Sequence, residues 1–132
     1  MSTIEFQQVS RVFKRDGQDF LTLDQINLQV ADKEFVAIVG PSGCGKTTCM
    51  RMVAGLEFPS SGSVKVAGQE VTRPGPERAV VFQQFALFPW KNVHENIAFG
   101  LRQRGTPAAE IERTVKHYIQ LMNLVGYETA YP

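Results

Sequence analysis

One nine-residue run constrains this chain more than anything else in it: Gly40-Pro41-Ser42-Gly43-Cys44-Gly45-Lys46-Thr47-Thr48 spells G-x-x-x-x-G-K-[ST]. Glycines at this spacing let the backbone curl until successive N–H groups converge on one point, a nest for anionic oxygen. A helix that starts where the loop ends adds the positive end of its dipole. Lys46 supplies a compact positive charge that reaches β- and γ-phosphates, and the Thr47 hydroxyl is a ligand for Mg²⁺. All nine residues are therefore candidate phosphate-binding positions, with Lys46 as a candidate catalytic residue and Thr47 as a candidate metal ligand.

The flanks fit the motif. Residues 34–39 form a nearly continuous apolar run, which predicts a parallel strand buried on both faces. Residues 48–55 carry Cys49, Met50, Met52, Val53 and Ala54 and end at Gly55, which predicts a short helix with a glycine stop. Strand, glycine loop and helix are the context the motif requires.

Upstream, residues 4–9 and 26–30 read as strands, with Asp16-Gly17 as a turn signal between the early segments. Downstream, residues 63–66 alternate as a strand closed by Ala67-Gly68. A break at residues 73–76 precedes an apolar strand over 79–82 that ends at Gln83. Then the pattern turns helical. Thr106 is a candidate N-cap with Pro107 at the first helical position. Ile111, Val115, Ile119, Met122 and Val125 recur at helical spacing, and Gly126 is the expected stop.

The remaining composition narrows function by exclusion. A formal net charge of +1 gives no electrostatic case for a nucleic-acid partner. No apolar stretch reaches the roughly 18 residues of a membrane span, and the polar start is no signal peptide, so a soluble cytoplasmic chain is expected. Cys44 and Cys49 have no further Cys or His at ligand spacing, so they make no zinc site. Cys44 reads first as a small tolerated residue at a variable motif position; a thiol made sensitive by a helix N-terminus is the alternative.

Taken together, these motifs resemble the ATP-binding cassette (ABC) ATPases that power membrane transporters, and the resemblance is to the family's N-terminal half. The loop from Gly40 to Thr48 corresponds to its Walker A motif. Phe13 stands where the family places an aromatic that stacks on adenine. Val81-Phe82-Gln83, followed by Phe85-Ala86-Leu87-Phe88-Pro89-Trp90, is similar to its Q-loop, and residues 93–101 continue the likeness. The wording around residues 89–93 looks like importers of nitrate, sulfonate or taurine.

The resemblance implies ATP and Mg²⁺ as cofactors. It gives Gln83 a role at the metal and the attacking water, as catalytic residue and metal ligand. It also implies transmembrane permease subunits and a second ATP-binding cassette as partners, with the chain peripheral on the inner face of the membrane. Phe85, Phe88 and Trp90 would lie beside the groove that receives the permease, or else be ordinary core. The implied fold class is α/β: an incomplete P-loop nucleoside-triphosphatase core with an N-terminal antiparallel β part and the start of an α-helical subdomain. The expected division is 1–83 and 84–132.

The family's later motifs have no counterpart here. All four aspartates (Asp16, Asp19, Asp24, Asp32) precede the loop. Glu95, Glu110, Glu112 and Glu128 follow no apolar strand and have no acidic neighbour. Nucleotide binding with little turnover, from a truncated or split polypeptide, is the expectation. A non-catalytic module that pairs with a full-length cassette, or another P-loop enzyme, are the alternatives.

Overall fold

The computed structural model describes residues 3–84 and 86–132 of the 132-residue chain. Phe85, one of the expected aromatic groove residues, lies outside the described residues. The chain divides into two compact units, Met1–Val81 and Phe82–Pro132.

In the first unit, strand β1 (Ile4–Arg15) turns at Asp16-Gly17 into β2 (Gln18–Val30), pairing antiparallel from Ile4↔Val30 to Arg15↔Gln18. Both turn residues have positive φ, 52° and 78°, the type I′ geometry whose twist suits a two-residue hairpin loop. The hairpin is far longer than the two short runs read from the sequence. Bulges interrupt its register near Val9 and Arg11. Side chains replace the missing ladder bonds there: Gln8 N–H donates to Asn27 Oδ1 (3.0 Å) and Gln25 N–H to Ser10 Oγ (2.9 Å).

Helix α1 (Lys46–Ala54) follows, then β3 (Ser61–Val66) and β4 (Gln69–Glu70), giving the sheet order β2-β1-β3-β4 with every pairing antiparallel. α1 ends as expected at Gly55, whose φ is 75°. Leu56 N–H reaches back to Arg51 O (2.9 Å) and Gly55 N–H to Met52 O (3.0 Å), the paired bonds of a Schellman stop. The core joins sheet and helix through Phe6, Val9, Leu23, Cys49, Met52, Val64 and Val71. Met52, 1% exposed, anchors α1; burying a side chain of this size contributes about 1.5–3 kcal/mol.

Two expected strands are absent. Residues 34–39 and 79–82 have no regular structure, and Phe35, Val39 and Val81 are each more than nine-tenths exposed. A strand exists only as part of a ladder, and no described strand pairs with either run. Both instead line an apolar cavity of about 420 Å³, together with Phe6, Leu28 and Val53.

The second unit is a helix pair, α2 (Val93–Gln103) and α3 (Ala108–Leu121). Ala98, Ile111, Val115 and Ile119 form its core, with Ile97, Leu101 and Leu124 packed against it. α3 departs from expectation at both ends. Pro107 occupies the cap position with an extended ψ of 142°, and no side chain caps the helix, so Thr106 is not the N-cap. Pro107 O accepts from both Glu110 and Ile111 N–H at 3.0 Å. At the other end Asn123, at φ 55°, makes the stop with Leu124 N–H on Ile119 O (2.8 Å) and Asn123 N–H on Gln120 O (3.1 Å). The helix therefore ends before Gly126, leaving Met122 and Val125 about two-thirds exposed.

Candidate functional site

The loop from Gly40 to Thr48 is positioned from its two ends. On the C-terminal side it runs into α1, held by Met52 and Cys49 in the core. Gly45 sits at the junction with φ 91°, buried against β2. A Cβ there would lie 2.6 Å from Leu23 Cδ2 and 3.2 Å from Thr22 O, so both conformation and space demand glycine. On the N-terminal side the Lys46 ammonium folds back over the loop and donates to Gly40 O (2.7 Å) and Pro41 O (2.6 Å), with Cys44 Sγ at 3.6 Å. The lysine is thus held at the mouth of the loop by two exposed carbonyls.

The N-termini of α1 and α2 differ sharply. At α2, Val93 N–H donates to Ala130 O (2.9 Å), His94 N–H to Glu128 O (3.0 Å) and Glu95 N–H to Asn92 Oδ1 (2.8 Å). Asn92 N–H donates in return to Glu95 Oε2 (3.1 Å), completing a capping box. At α1, no side chain caps the first turn and no acidic residue lies in it. Helix amides left without protein partners and without a neighbouring acid favour an anion. Lys46 adds a cation at the same place.

The donor set fits a metal–phosphate ligand. Thr47 is exposed in the first turn of α1, and a hydroxyl oxygen suits Mg²⁺, which takes few protein ligands and completes its shell with water and phosphate. Among the described residues no group of three or more His, Cys, Asp or Glu side chains is placed to hold a metal by itself.

Of the other expected site residues, Phe13 lies on β1, half-buried, with the Arg11 guanidinium 4.3 Å over its ring. Arg11 is in turn paired with Glu57 (2.6 Å) and stands opposite Leu23, the residue against which Gly45 packs. Two residues along the strand, Phe13 is about 7 Å beyond that point. Gln83 is exposed in an irregular segment of the second unit. The structure therefore brings residues 40–48 together as a cradle, places Phe13 in the same unit, and puts Gln83 in the other. Cys44 is exposed and Cys49 buried. Burial first, and then the neighbouring Cys44, raises the Cys49 thiol above its ordinary range.

Sequence reasoning missed the α2 cap and the residues around it. Asn92 and Glu95 at N-cap and N3 are a readable signal. Phe99, whose ring centroid lies 4.5 Å from that of Phe88, was equally available from helical spacing.

Comparison with known proteins bears on the family and the fold. The pattern of the ABC transporter family matches residues 23–131. An uncharacterized ABC transporter ATP-binding protein of Methanocaldococcus jannaschii is 43% identical over 129 residues, covering 98% of this chain and 48% of that protein. The nitrate import ATP-binding protein NrtD of Synechocystis is 40% identical over 129 residues, with the same two coverages of 98% and 48%. The chain thus spans about half the length of the curated relatives it matches. Among solved structures, a dimeric post-hydrolysis ATP-binding cassette bound to ADP and Pi has a TM-score of 0.84 at 24% identity. That match covers 98% of this chain and 61% of the other, and it shows a shared fold. With the family pattern running from β2 through the helix pair and the fold shared along nearly the whole chain, this protein belongs to the ABC transporter ATP-binding family.

Proposed function

We propose that this chain is the nucleotide-binding part of an importer ATPase, in which residues 40–48 hold the phosphates of ATP. The observation that carries the reading is the uncapped, acid-free start of α1 with the Lys46 ammonium resting at its mouth. On binding, Lys46 exchanges two exposed carbonyls for phosphate oxygens and the loop amides donate to the same anion, while the Thr47 hydroxyl would be the protein's ligand for Mg²⁺. Thr47 would hold the metal, which would supply charge neutralisation at the phosphates. Phe13 would offer an apolar face to adenine, and the family resemblance would give Gln83 the role of metal ligand and of orienting the attacking water.

Importer function is supported by relatives named for nitrate import, bicarbonate transport and spermidine/putrescine import. A permease and a second cassette are the proposed partners, at the inner face of the membrane. Among the described residues no helix is long and apolar enough to cross a membrane. Turnover is assigned to carboxylates in the half of the relatives that lies outside the match. Titration of the folded chain with a fluorescent ATP analogue and Mg²⁺ tests the reading. Saturable binding displaced by ATP is expected, and none from folded material would sink it.

A second reading, a module that pairs with a complete cassette, is favoured by the exposed apolar residues Phe35, Val39 and Val81. Co-purification of a full-length cassette, with turnover appearing only in the mixture, would select it.

A further inference from the structure

The face of the β1–β2 hairpin that meets the cradle continues past it as a shelf. Leu23, the residue against which Gly45 packs, is 5% exposed. Arg11 stands opposite Leu23 in the register and shares its face. Phe13 follows two residues along β1 on the same side, and Phe20 stands opposite Phe13. Exposure rises along this row: Arg11 and Phe13 are half-buried, and Phe20 has 63% of its surface in solvent. The core-facing side of the hairpin thus runs out beyond the core, about 7 Å from the point where the cradle touches it.

One face of Phe13 is already taken. The Arg11 guanidinium lies 4.3 Å over the ring centroid and is paired with Glu57 at 2.6 Å, the two charged side chains being only 23% and 20% exposed. Arg11 Nε–H is buried with no hydrogen-bond partner among the described residues, so the carboxylate and the ring together orient the guanidinium. Glu57 belongs to the strap that leaves α1. Ser60 N–H donates to Ser10 O (2.8 Å) and Ser60 Oγ accepts from Val12 N–H (3.1 Å), which binds the strap to β1 on either side of Arg11. The stack is therefore tied to α1, the helix whose first turn completes the cradle. A partly desolvated cation over an aromatic face is favourable and holds the ring in place. With that face filled, a planar ligand stacks on the other, and it meets a ring that has already lost its rotational freedom.

We propose that Arg11 is a positioning residue for the base of the nucleotide: tethered by Glu57, it backs Phe13 and holds the ring ready for a planar heterocycle whose phosphates lie in the cradle. This role rests on the reading of residues 40–48 and Phe13 as a nucleotide site, and adds to it the residue that fixes the base end.

Calorimetric titration of the 132-residue chain with ATP and with inorganic tripolyphosphate, both with Mg²⁺, separates the base from the phosphates. Wild type is compared with Arg11→Met, Phe13→Leu and the double variant, each checked by circular dichroism and a urea melt. Arg11→Met keeps the aliphatic bulk of the side chain but carries no charge. It should weaken ATP about fivefold, leave tripolyphosphate unchanged, and cost nothing further once Phe13 is replaced by leucine. A merely structural ion pair behaves otherwise: its loss lowers the melt and weakens both ligands alike, in either background. Should Arg11→Met fail to fold, Arg11→Gln, which can still donate to Glu57, takes its place. Equal losses for ATP and tripolyphosphate, or an undiminished effect in the Phe13→Leu background, overturn the proposal. Adenosine alone, followed by saturation-transfer NMR of its base protons, decides the case in which neither phosphate ligand binds. A signal that falls in Arg11→Met and vanishes in Phe13→Leu upholds the role of Arg11 while the cradle reading fails; no such difference sinks both.

Discussion

Lys46→Ala separates the cradle's ligand chemistry from its folding. In the free loop the ammonium donates to Gly40 O and Pro41 O, and both residues are exposed. Water can replace the ammonium at these carbonyls, so truncation leaves no buried acceptor unpaired and costs little stability. Bound phosphate is different. There the ammonium makes charge-assisted contacts in a partly desolvated nest, each worth about 1.5–3 kcal/mol. The lysine must first leave its two carbonyls, which takes back part of that gain. A net loss of about 2 kcal/mol, or about thirtyfold in Kd, is expected for Lys46→Ala. Fluorescent-nucleotide titration measures the affinity, and a urea melt of the same samples measures the stability. An unchanged Kd with an unchanged melt would refute the assignment of Lys46 to phosphate. A weaker Kd accompanied by an equally large stability loss would show that the lysine acts on the loop rather than on the ligand.

Three further outcomes follow from packing and exposure. In Gly55→Ala the new Cβ would meet Arg73 O at 2.3 Å and Arg73 C at 2.5 Å from a φ of 75°; the urea midpoint should fall by the equivalent of at least about 2 kcal/mol. Val115→Ala, at a site only 1% exposed, should cost the helix pair about 2 kcal/mol in urea unfolding followed by Trp90 emission, whereas alanine at the half-exposed Tyr118 should change it little. A maleimide at neutral pH should label Cys44 in the folded chain and spare Cys49 until urea is added, as read by peptide mapping. Because burial raises the Cys49 thiol pKa, its thiolate is scarcer at any given pH, so its labelling should accelerate only above the ordinary thiol range.

Local signals carried much of this structure. Asp16-Gly17 and Gly55 were legible because a positive φ has a residue-type signature. Ile111, Val115 and Ile119 were legible because a buried helix face repeats. The path of the loop into α1 was legible for the same reason as the Asp16-Gly17 turn, since Gly43 and Gly45 both take positive φ. Competition between equivalent signals was not readable. Asn123 stops α3 before Gly126 can, since either residue accepts a left-handed conformation and the first to find C-terminal partners wins. The full length of β1 and β2 was hidden for another reason. Their bulges near Val9 and Arg11 shift the register and break the alternation that a strand search counts.

Residues 34–39 and 79–82 show the limit of propensity most clearly. Both are apolar and rich in β-branched or aromatic residues, yet neither forms a strand. The relatives carry about as many residues again outside the match. The consequence reaches the cradle, because residue 39 leads directly into Gly40. Without a paired strand, the N-terminal side of the loop is tied down chiefly by the Lys46 bonds to Gly40 and Pro41, the same bonds that a phosphate would displace. Ligand binding therefore loosens one end of the loop while ordering the other, and pairing of residues 34–39 would remove that opposition and raise affinity. Hydrogen exchange checks the premise directly. Amides 35–39, lacking ladder bonds, should exchange at nearly unstructured rates in the isolated chain, with or without nucleotide, while Ser63 and Lys65 in β3, which face β1 in the hydrogen-bonded pairs, stay protected. Protection at residues 35–39 in the free chain would mean that the run already has a partner, and the argument for a loosened loop would fall with it.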